Sequence, residues 1–499
     1  MRVCLGVAVA VAVVGVVIAV GCAAVPQPAL KATEGRGRAG GRAERSSATL
    51  LQARAAPTPP KDHGRDQGPL VPITFQGVEP DSPEGVALDF LAKLRDGDVL
   101  GAATRFDDVM WSSLMNDGLL GLWPSLVGEG GAFRGIARLA HEGAGWSDVV
   151  HVVCRFDRGE IDVRVDVTKA GRIHGLSFAQ PEPAPYEAPA YVNAAAVQEK
   201  ELTVGEVALP ALLTTARQGA AMPAVLLVHG SGPLDRDERM GSVRPFRDLA
   251  LGLASRGVAV LRYDKRTLHL ASKLSAEALD AMTLEQESIA DARAAVAILR
   301  TEPRIDAQRI FLLGHSLGTA AVLRLAASEP QVAGLVLLAP PARPLEDVIA
   351  DQVRYLARLS GPADESGQQL LAKLAVEVER VKTLTAGEQV AAADLPLGIP
   401  AAYWLDLAAH PVLPLAAQEH RPVLLLQGGR DYQVTGADFA LWQQVLGRSG
   451  AELRFYPELD HAFVSGRGLS SPADYNEPGH VDGRVVQDVA QFILASRGQ

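Results

Sequence analysis

Three cysteines in 499 residues leave no material for a disulfide framework. Cys4 lies within an N-terminal apolar stretch and Cys22 at its end, so Cys154 stands alone in the remainder. Its setting, Val152-Val153-Cys154-Arg155-Phe156, alternates like a strand and marks a small core residue rather than a nucleophile. Positive charge is also in deficit: 48 Lys+Arg face 58 Asp+Glu, a formal net charge of -10, and no basic patch interleaved with aromatics occurs. The electrostatic footprint of nucleic-acid binding is therefore missing, and no nucleic-acid partner is expected. No metal or other cofactor is called for by the motifs that are present.

Hydrophobic residues, at 48%, suffice for more than one core. An unbroken apolar run, Val3 to Val20, follows Met1-Arg2 and ends at Gly21-Cys22, which reads as an export signal over residues 1–21. The string Ala19-Val20-Gly21-Cys22 resembles the cleavage box of bacterial lipoproteins, in which the cysteine is lipidated and becomes the first mature residue, although Ala19 stands where leucine is usual. An uncleaved transmembrane anchor is the competing reading, since about 18 residues is the low end for a span. Either reading exports the protein and tethers it to a membrane of the cell envelope, the first through lipid on Cys22. Residues 22–80 are rich in Ala, Gly, Pro and Arg without a periodic apolar face, and are expected to form a disordered tether.

A small α+β domain is expected over residues 81–181. Pro83 to Leu94 has helical periodicity, continued by Val99 to Phe106 and Asp108 to Asn116 ahead of a glycine-rich turn near Gly128. The period then changes to two. Asp148 to Phe156, Ile161 to Thr168 and Ile173 to Phe178 alternate, joined by the hairpin turns Asp157-Arg158-Gly159 and Lys169-Ala170-Gly171. No catalytic constellation occurs here, which leaves a spacer or substrate-presenting role as the default and a ligand cavity as the second reading. The proline-rich stretch Glu182 to Pro189 separates this domain from a larger one over residues 190–499.

Within the larger domain, Gly314-His315-Ser316-Leu317-Gly318 follows the apolar run Ile310 to Leu313 and precedes the Ala- and Leu-rich helical run Thr319 to Ser328. This is G-x-S-x-G in a strand, turn, helix context. Glycines two positions either side of the serine remove side chains that would clash in so tight a turn, and a helix N-terminus favours negative charge developing beside it. Ser316 is the candidate nucleophile, with an ordinary glycine turn as the plainer reading of the pattern alone.

A serine hydroxyl needs a base, an acid to orient the base, and donors for the oxyanion. The strand-like run Pro422 to Leu426 leads into Gln427-Gly428-Gly429-Arg430-Asp431, and Glu452 to Tyr456 leads into Pro457-Glu458-Leu459-Asp460-His461. Asp431 is the candidate acid and His461 the candidate base. Asp431 could instead cap the helix expected near Gly436. Asp438, expected inside that helix, and Asp460, next to the histidine in sequence, are the rival carboxylates. His229 and His315 flank glycine turns and read as structural, while His480 lies beyond the last strand. The run Ala224 to Val228 ends in His229-Gly230-Ser231-Gly232-Pro233. The amides of Ser231 and Leu317 are the candidate oxyanion donors, groups worth about 2.7 to 4 kcal/mol each.

The order Ser316, Asp431, His461 is that of the α/β-hydrolases. The region from about Val204 to the C-terminus resembles that superfamily, in particular bacterial esterases related to dienelactone hydrolases and prolyl-oligopeptidase-like enzymes. Phe246-Arg247-Asp248-Leu249-Ala250, Tyr263-Asp264-Lys265-Arg266 and the tail from Ser471-Pro472 to Pro478-Gly479-His480-Val481-Asp482 extend the resemblance. The small domain resembles the domain of unassigned function, NTF2-like in character, that precedes some bacterial hydrolases of this group. Together these imply an α/β-hydrolase fold and an acyl-serine mechanism on esters, thioesters or amides.

On that fold, an antiparallel hairpin (Gln198 to Val204, Val207 to Thr214) should precede parallel strands at Ala224–Val228, Val258–Tyr263, Ile310–Leu313, Gly334–Leu338, Pro422–Leu426 and Glu452–Tyr456. The helical stretch at about 340–420 is expected to form a cap over the active site. Tyr403 and Trp404 within it either line a pocket or pack the cap. The expected activity is that of a serine carboxylesterase acting on a small-molecule ester. A peptidase or acyltransferase with the same triad, and a non-catalytic envelope lipoprotein, are the alternatives. No feature of the sequence points to an oligomeric state.

Overall fold

The computed structural model describes residues 73–496 apart from residues 108–109, 111–121, 145–146, 158, 180–185, 220, 272 and 360–364. The export signal, Cys22 and residues 22–72 of the expected tether thus lie outside the described residues, as does most of the helix expected over Asp108 to Asn116, whereas residues 73–80 are described and Ile73 is buried in the core of the smaller unit. The chain divides between Glu182 and Pro183 into two compact units.

In the smaller unit, helix α1 (Pro83–Arg95) starts where Ser82 Oγ accepts the Gly85 amide at 3.1 Å and Pro83 takes the first helical position. With α2 (Val99–Ala103) and α3 (Leu122–Gly130) it accompanies a four-stranded antiparallel sheet of β1 (Phe133–Ala144), β2 (Ser147–Phe156), β3 (Gly159–Thr168) and β4 (Ile173–Ala179), ordered as in the chain. Phe90, Leu91, Val152, Cys154, Val163 and Val165 fill its core. Burial pushes the Cys154 thiol up to about 12, which makes it inert. Two features differ from expectation. Gly128 lies inside α3 rather than in a turn, and β1 is an additional strand whose register slips between Phe133 and Gly135 and again between Ile136 and Arg138. Each bulge breaks the two-residue alternation by which a strand is read.

The larger unit is built on an eight-stranded sheet. Its strands are the hairpin β5 (Val197–Val204) and β6 (Leu209–Ala216), then β7 (Met222–Val228), β8 (Ala259–Tyr263), β9 (Ile305–His315), β10 (Gly334–Leu338), β11 (Val423–Gly428) and β12 (Glu452–Tyr456). The spatial order is β12-β11-β10-β9-β7-β8-β6-β5, parallel from β12 to β8 and antiparallel through β6 and β5. Every residue of β7 is buried because both faces are covered. Ala224, Leu226 and Val228 join the core on one side, Val225 and Leu227 that on the other. Helices α4 (Pro245–Ala254), α5 (Ala290–Thr301) and α6 (Gly318–Ser328) follow successive parallel strands.

Between β10 and β11 the chain leaves the sheet to form the helical cap, with α7 (Leu345–Leu359), α8 (Glu365–Lys382) and α9 (Ala401–Ala409). Ile349, Val353, Leu374, Val378 and Trp404 give it a core of its own, and Trp404 Nε1 donates to the Ile399 carbonyl at 3.0 Å. Trp404 therefore packs the cap. The root of the cap is fastened by Asp438, on helix α10 (Gly436–Leu446), which accepts the amides of Ala342 and Arg343 at 3.0 and 3.1 Å and pairs with the Arg343 guanidinium at 2.9 Å. One of the rival carboxylates thus has a structural task.

Candidate active site

All the candidate residues emerge at the carboxyl ends of parallel strands, the edge where open α/β sheets place ligands. At the end of β9, Ser316 has φ of +51°, a left-handed conformation that a non-glycine residue adopts only under constraint. The constraint is visible in its flanking glycines. A Cβ on Gly314 would lie 2.5 Å from the Gly318 carbonyl oxygen, and one on Gly318 would lie 2.3 Å from that of Val228. The turn closes only because both side chains are missing, and it sets Ser316 just ahead of the first turn of α6.

Beyond β11 and β12 the chain brings Asp431 and His461 together: the Nδ1–H of His461 donates to Asp431 Oδ2 at 2.7 Å, with both side chains buried. Asp431 Oδ1 accepts the amides of Gln433 and Val434 at 2.8 and 2.9 Å, and Gln427 Nε2 donates to Oδ2 at 3.2 Å. The carboxylate is thereby locked, and Nε2 is the ring atom of His461 left for a reacting group. His315 ties this pair to the elbow. Its Nε2–H donates to the His461 carbonyl at 2.9 Å, and the two rings lie 4.6 Å apart. The residue next to Ser316 thus touches His461, although among the described residues no hydrogen bond joins Ser316 Oγ to the imidazole. Such bonds are often long before substrate is bound.

The remaining candidates sit elsewhere. Asp460 Oδ1 accepts the Val464 amide of its own loop at 2.9 Å, and burial, with the neighbouring Asp431 charge, pushes its carboxyl up to about 6. His480 pairs with Asp248 at 3.2 Å. His229 lies with Nε2 3.0 Å from the Asp235 carbonyl, its pKa lowered by burial to about 4.

The oxyanion loop follows β7. A Cβ on Gly230 would come within 3.2 Å of Ser316 Cβ, so this backbone passes directly over the elbow. Among the described residues neither the Ser231 nor the Leu317 amide donates a hydrogen bond. Both residues line a mainly apolar cavity of about 170 Å³, which Leu279, Ile349, Ile399 and Tyr403 help enclose. Tyr403, unlike its neighbour Trp404, therefore faces a pocket. Among the described residues no cluster of three or more His, Cys, Asp and Glu is set to hold a metal ion.

Sequence reasoning missed three charged residues packed around this loop. Glu238 accepts the Gly230 amide at 2.7 Å and lies 2.9 Å from His315 Nδ1, close enough for charge attraction though not aligned as a hydrogen bond. Burial works against both charges, yet their mutual attraction keeps the His315 ring above its ordinary pKa and the Glu238 carboxyl below its own. Lys265 and Glu287 are the other two. Only Tyr263-Asp264-Lys265-Arg266 carried any signal, and it came without a role.

A largely parallel sheet with a strained serine at one strand end and a buried carboxylate–histidine pair beyond two others defines a serine hydrolase of the α/β-hydrolase fold. Comparison with known proteins places it further. Residues 221–467 match the family described as serine aminopeptidase, S33. The chain is 38% identical over 382 residues to the esterase EstD of Thermotoga maritima, covering 75% of this chain and 87% of that protein. It belongs to that esterase family. Among solved structures, the esterase domain of a Rhodothermus marinus protein is 22% identical with a TM-score of 0.34, over 59% of this chain and 98% of that one. Dipeptidyl peptidase 4 of Porphyromonas gingivalis is 14% identical with a TM-score of 0.38, over 72% of this chain and 43% of the peptidase, so the chain spans less than half of that protein's length.

Proposed function

We propose that the protein is a carboxylesterase that cleaves small-molecule carboxylic esters through an acyl-serine. The observation that carries this reading is the buried 2.7 Å contact between His461 and Asp431 beside the Ser316 elbow. Ser316 Oγ attacks the ester carbonyl as His461 Nε2 takes its proton, and Asp431 stabilises the imidazolium. The tetrahedral oxygen is held by the free amides of Ser231 and Leu317. His461 returns the proton to the departing alcohol, then activates a water that releases the acid and regenerates the serine. The cavity under the cap, mainly apolar with Asp280 and Glu287 among its lining residues, suits an uncharged acyl or alcohol group.

A companion proposal concerns location: the run Val3 to Val20 and the string ending at Cys22 support an exported enzyme held at a membrane by lipid. Purified protein assayed against p-nitrophenyl esters of rising chain length, beside aminoacyl anilides, tests the activity. Turnover of the esters alone is expected. Preferential cleavage of the anilides would replace the esterase reading with a peptidase.

A further inference from the structure

The planar peptide between Gly230 and Ser231 presents the Ser231 N–H on one edge and the Gly230 carbonyl on the other. Whatever holds the carbonyl therefore aims the N–H. Lys265 Nζ donates to that carbonyl at 2.8 Å. The lysine is 2% exposed, just beyond β8, and its ammonium pairs with Glu287 at 3.0 Å. Glu287 in turn accepts the Tyr403 hydroxyl at 2.6 Å, from cap helix α9. A continuous chain of buried polar contacts thus runs from the cap to the back of one oxyanion donor. Glu287 lies in a π-helical turn, Glu285–Ile289, a local widening common at functional sites. Burying an ion pair costs several kcal/mol per ion before its attraction is counted, so apolar side chains would serve mere packing at least as well.

We propose that Lys265 is a positioning residue of the oxyanion site. It fixes the Gly230–Ser231 peptide with its N–H toward the reacting carbonyl. Its charge draws electron density through the peptide and strengthens that N–H as a donor while the oxyanion forms. Glu287 and Tyr403 set the ammonium in place and so link the donor to the cap. From the other flank, Glu238 holds the Gly230 amide, leaving the loop little freedom to turn. This inference rests on the acyl-serine reading, in which Ser231 N–H faces the substrate oxygen.

The test uses the full chain carrying Lys265→Met, which keeps length and removes the charge, and Tyr403→Phe, which keeps the ring and removes one hydrogen bond. Steady-state turnover of a p-nitrophenyl ester is measured beside inhibition by a trifluoromethyl ketone, which adds to a serine as an oxyanion-bearing adduct. Lys265→Met should lower kcat by roughly 10- to 100-fold, less than outright loss of an oxyanion donor, with KM changed by no more than about twofold. The ketone should weaken by the same factor as kcat/KM. Tyr403→Phe should move both quantities the same way by about threefold, in a protein that remains folded at the assay temperature. A folded Lys265→Met protein with unaltered kcat and ketone affinity, or with only KM raised, would overturn the proposal. Should Lys265→Met not fold, unaltered kcat and ketone affinity in Tyr403→Phe would do the same. Ser316→Ala separates the two levels: turnover surviving in it sinks the acyl-serine reading, whereas its loss beside an unaffected Lys265→Met sinks only the role of the lysine.

Discussion

His461 Nδ1 lies 2.7 Å from Asp431 Oδ2, and the second oxygen of that carboxylate is filled by the amides of Gln433 and Val434. Neither group has an alternative pose, so the ring is held in one tautomer with Nε2 outward. An asparagine at 431 can present an N–H to the ring and favour the wrong tautomer. Asp431→Asn should therefore lower kcat by roughly 10⁴ while the protein stays folded. Asp460→Asn should leave kcat within about tenfold of wild type, because Asp460 bonds its own loop. Parallel kcat and thermal-unfolding measurements check this. Near wild-type turnover in Asp431→Asn, with loss in Asp460→Asn, would reverse the assignment.

Asp438 predicts a different phenotype. Its carboxylate is wholly buried and holds two amides and the Arg343 guanidinium at the cap root. Asp438→Ala should destabilise the protein by roughly 3 kcal/mol, the low end for breaking a buried pair, since Arg343 reaches solvent. Ester chain-length preference should loosen as the cap root frays. Denaturant unfolding and a substrate series read the two effects, and an unchanged unfolding midpoint would contradict the structural role.

Asp460 gives a pH signature. Its carboxyl sits at about 6 in the folded protein against an ordinary 3.8, chiefly because of burial. Between those values the folded state binds more protons than the unfolded one, so this residue's contribution to stability falls as pH rises from about 4 to 6 and stays reduced above. Asp460→Asn removes that penalty. Its thermal midpoint should match wild type near pH 4 and exceed it by pH 7, with a free-energy gain of up to about 3 kcal/mol. A difference that does not vary with pH would exclude the mechanism.

What was legible in the sequence was local or periodic. The Gly314-to-Gly318 elbow is readable because its two steric requirements lie within five residues. Strands Gly334–Leu338 and Glu452–Tyr456 and cap helix Leu345–Leu359 appear where the apolar pattern puts them. Strand β9 starts at Ile305, ahead of its apolar run, because Ile305 pairs with Met222 and the register then shifts across the polar residues Asp306 to Arg309 before Ile310 meets Ala224. Strand β1 was hidden by its bulges. The supports of the oxyanion loop were hidden for another reason. Lys265 meets Gly230 across 35 positions, Glu287 meets Tyr403 across 116, and Glu238 reaches Gly230 from a backbone with φ of +50°. Contacts made by tertiary closure leave no period and no spacing to read.

The N-terminal reading makes its own prediction. If Cys22 carries lipid, Cys22→Ser should abolish incorporation of labelled palmitate and change the partition between membrane and soluble fractions. Undiminished labelling in the variant would contradict the lipoprotein proposal.

The central claim is that Ser316, activated by His461, carries the acyl group. Reaction with a fluorophosphonate, followed by mass spectrometry of the digested protein, tests it most directly, since only an activated serine reacts rapidly. One adduct is predicted, on the peptide containing Ser316, absent from Ser316→Ala and slowed strongly in His461→Ala. Labelling that persists in Ser316→Ala, or that maps to another residue, would contradict the account.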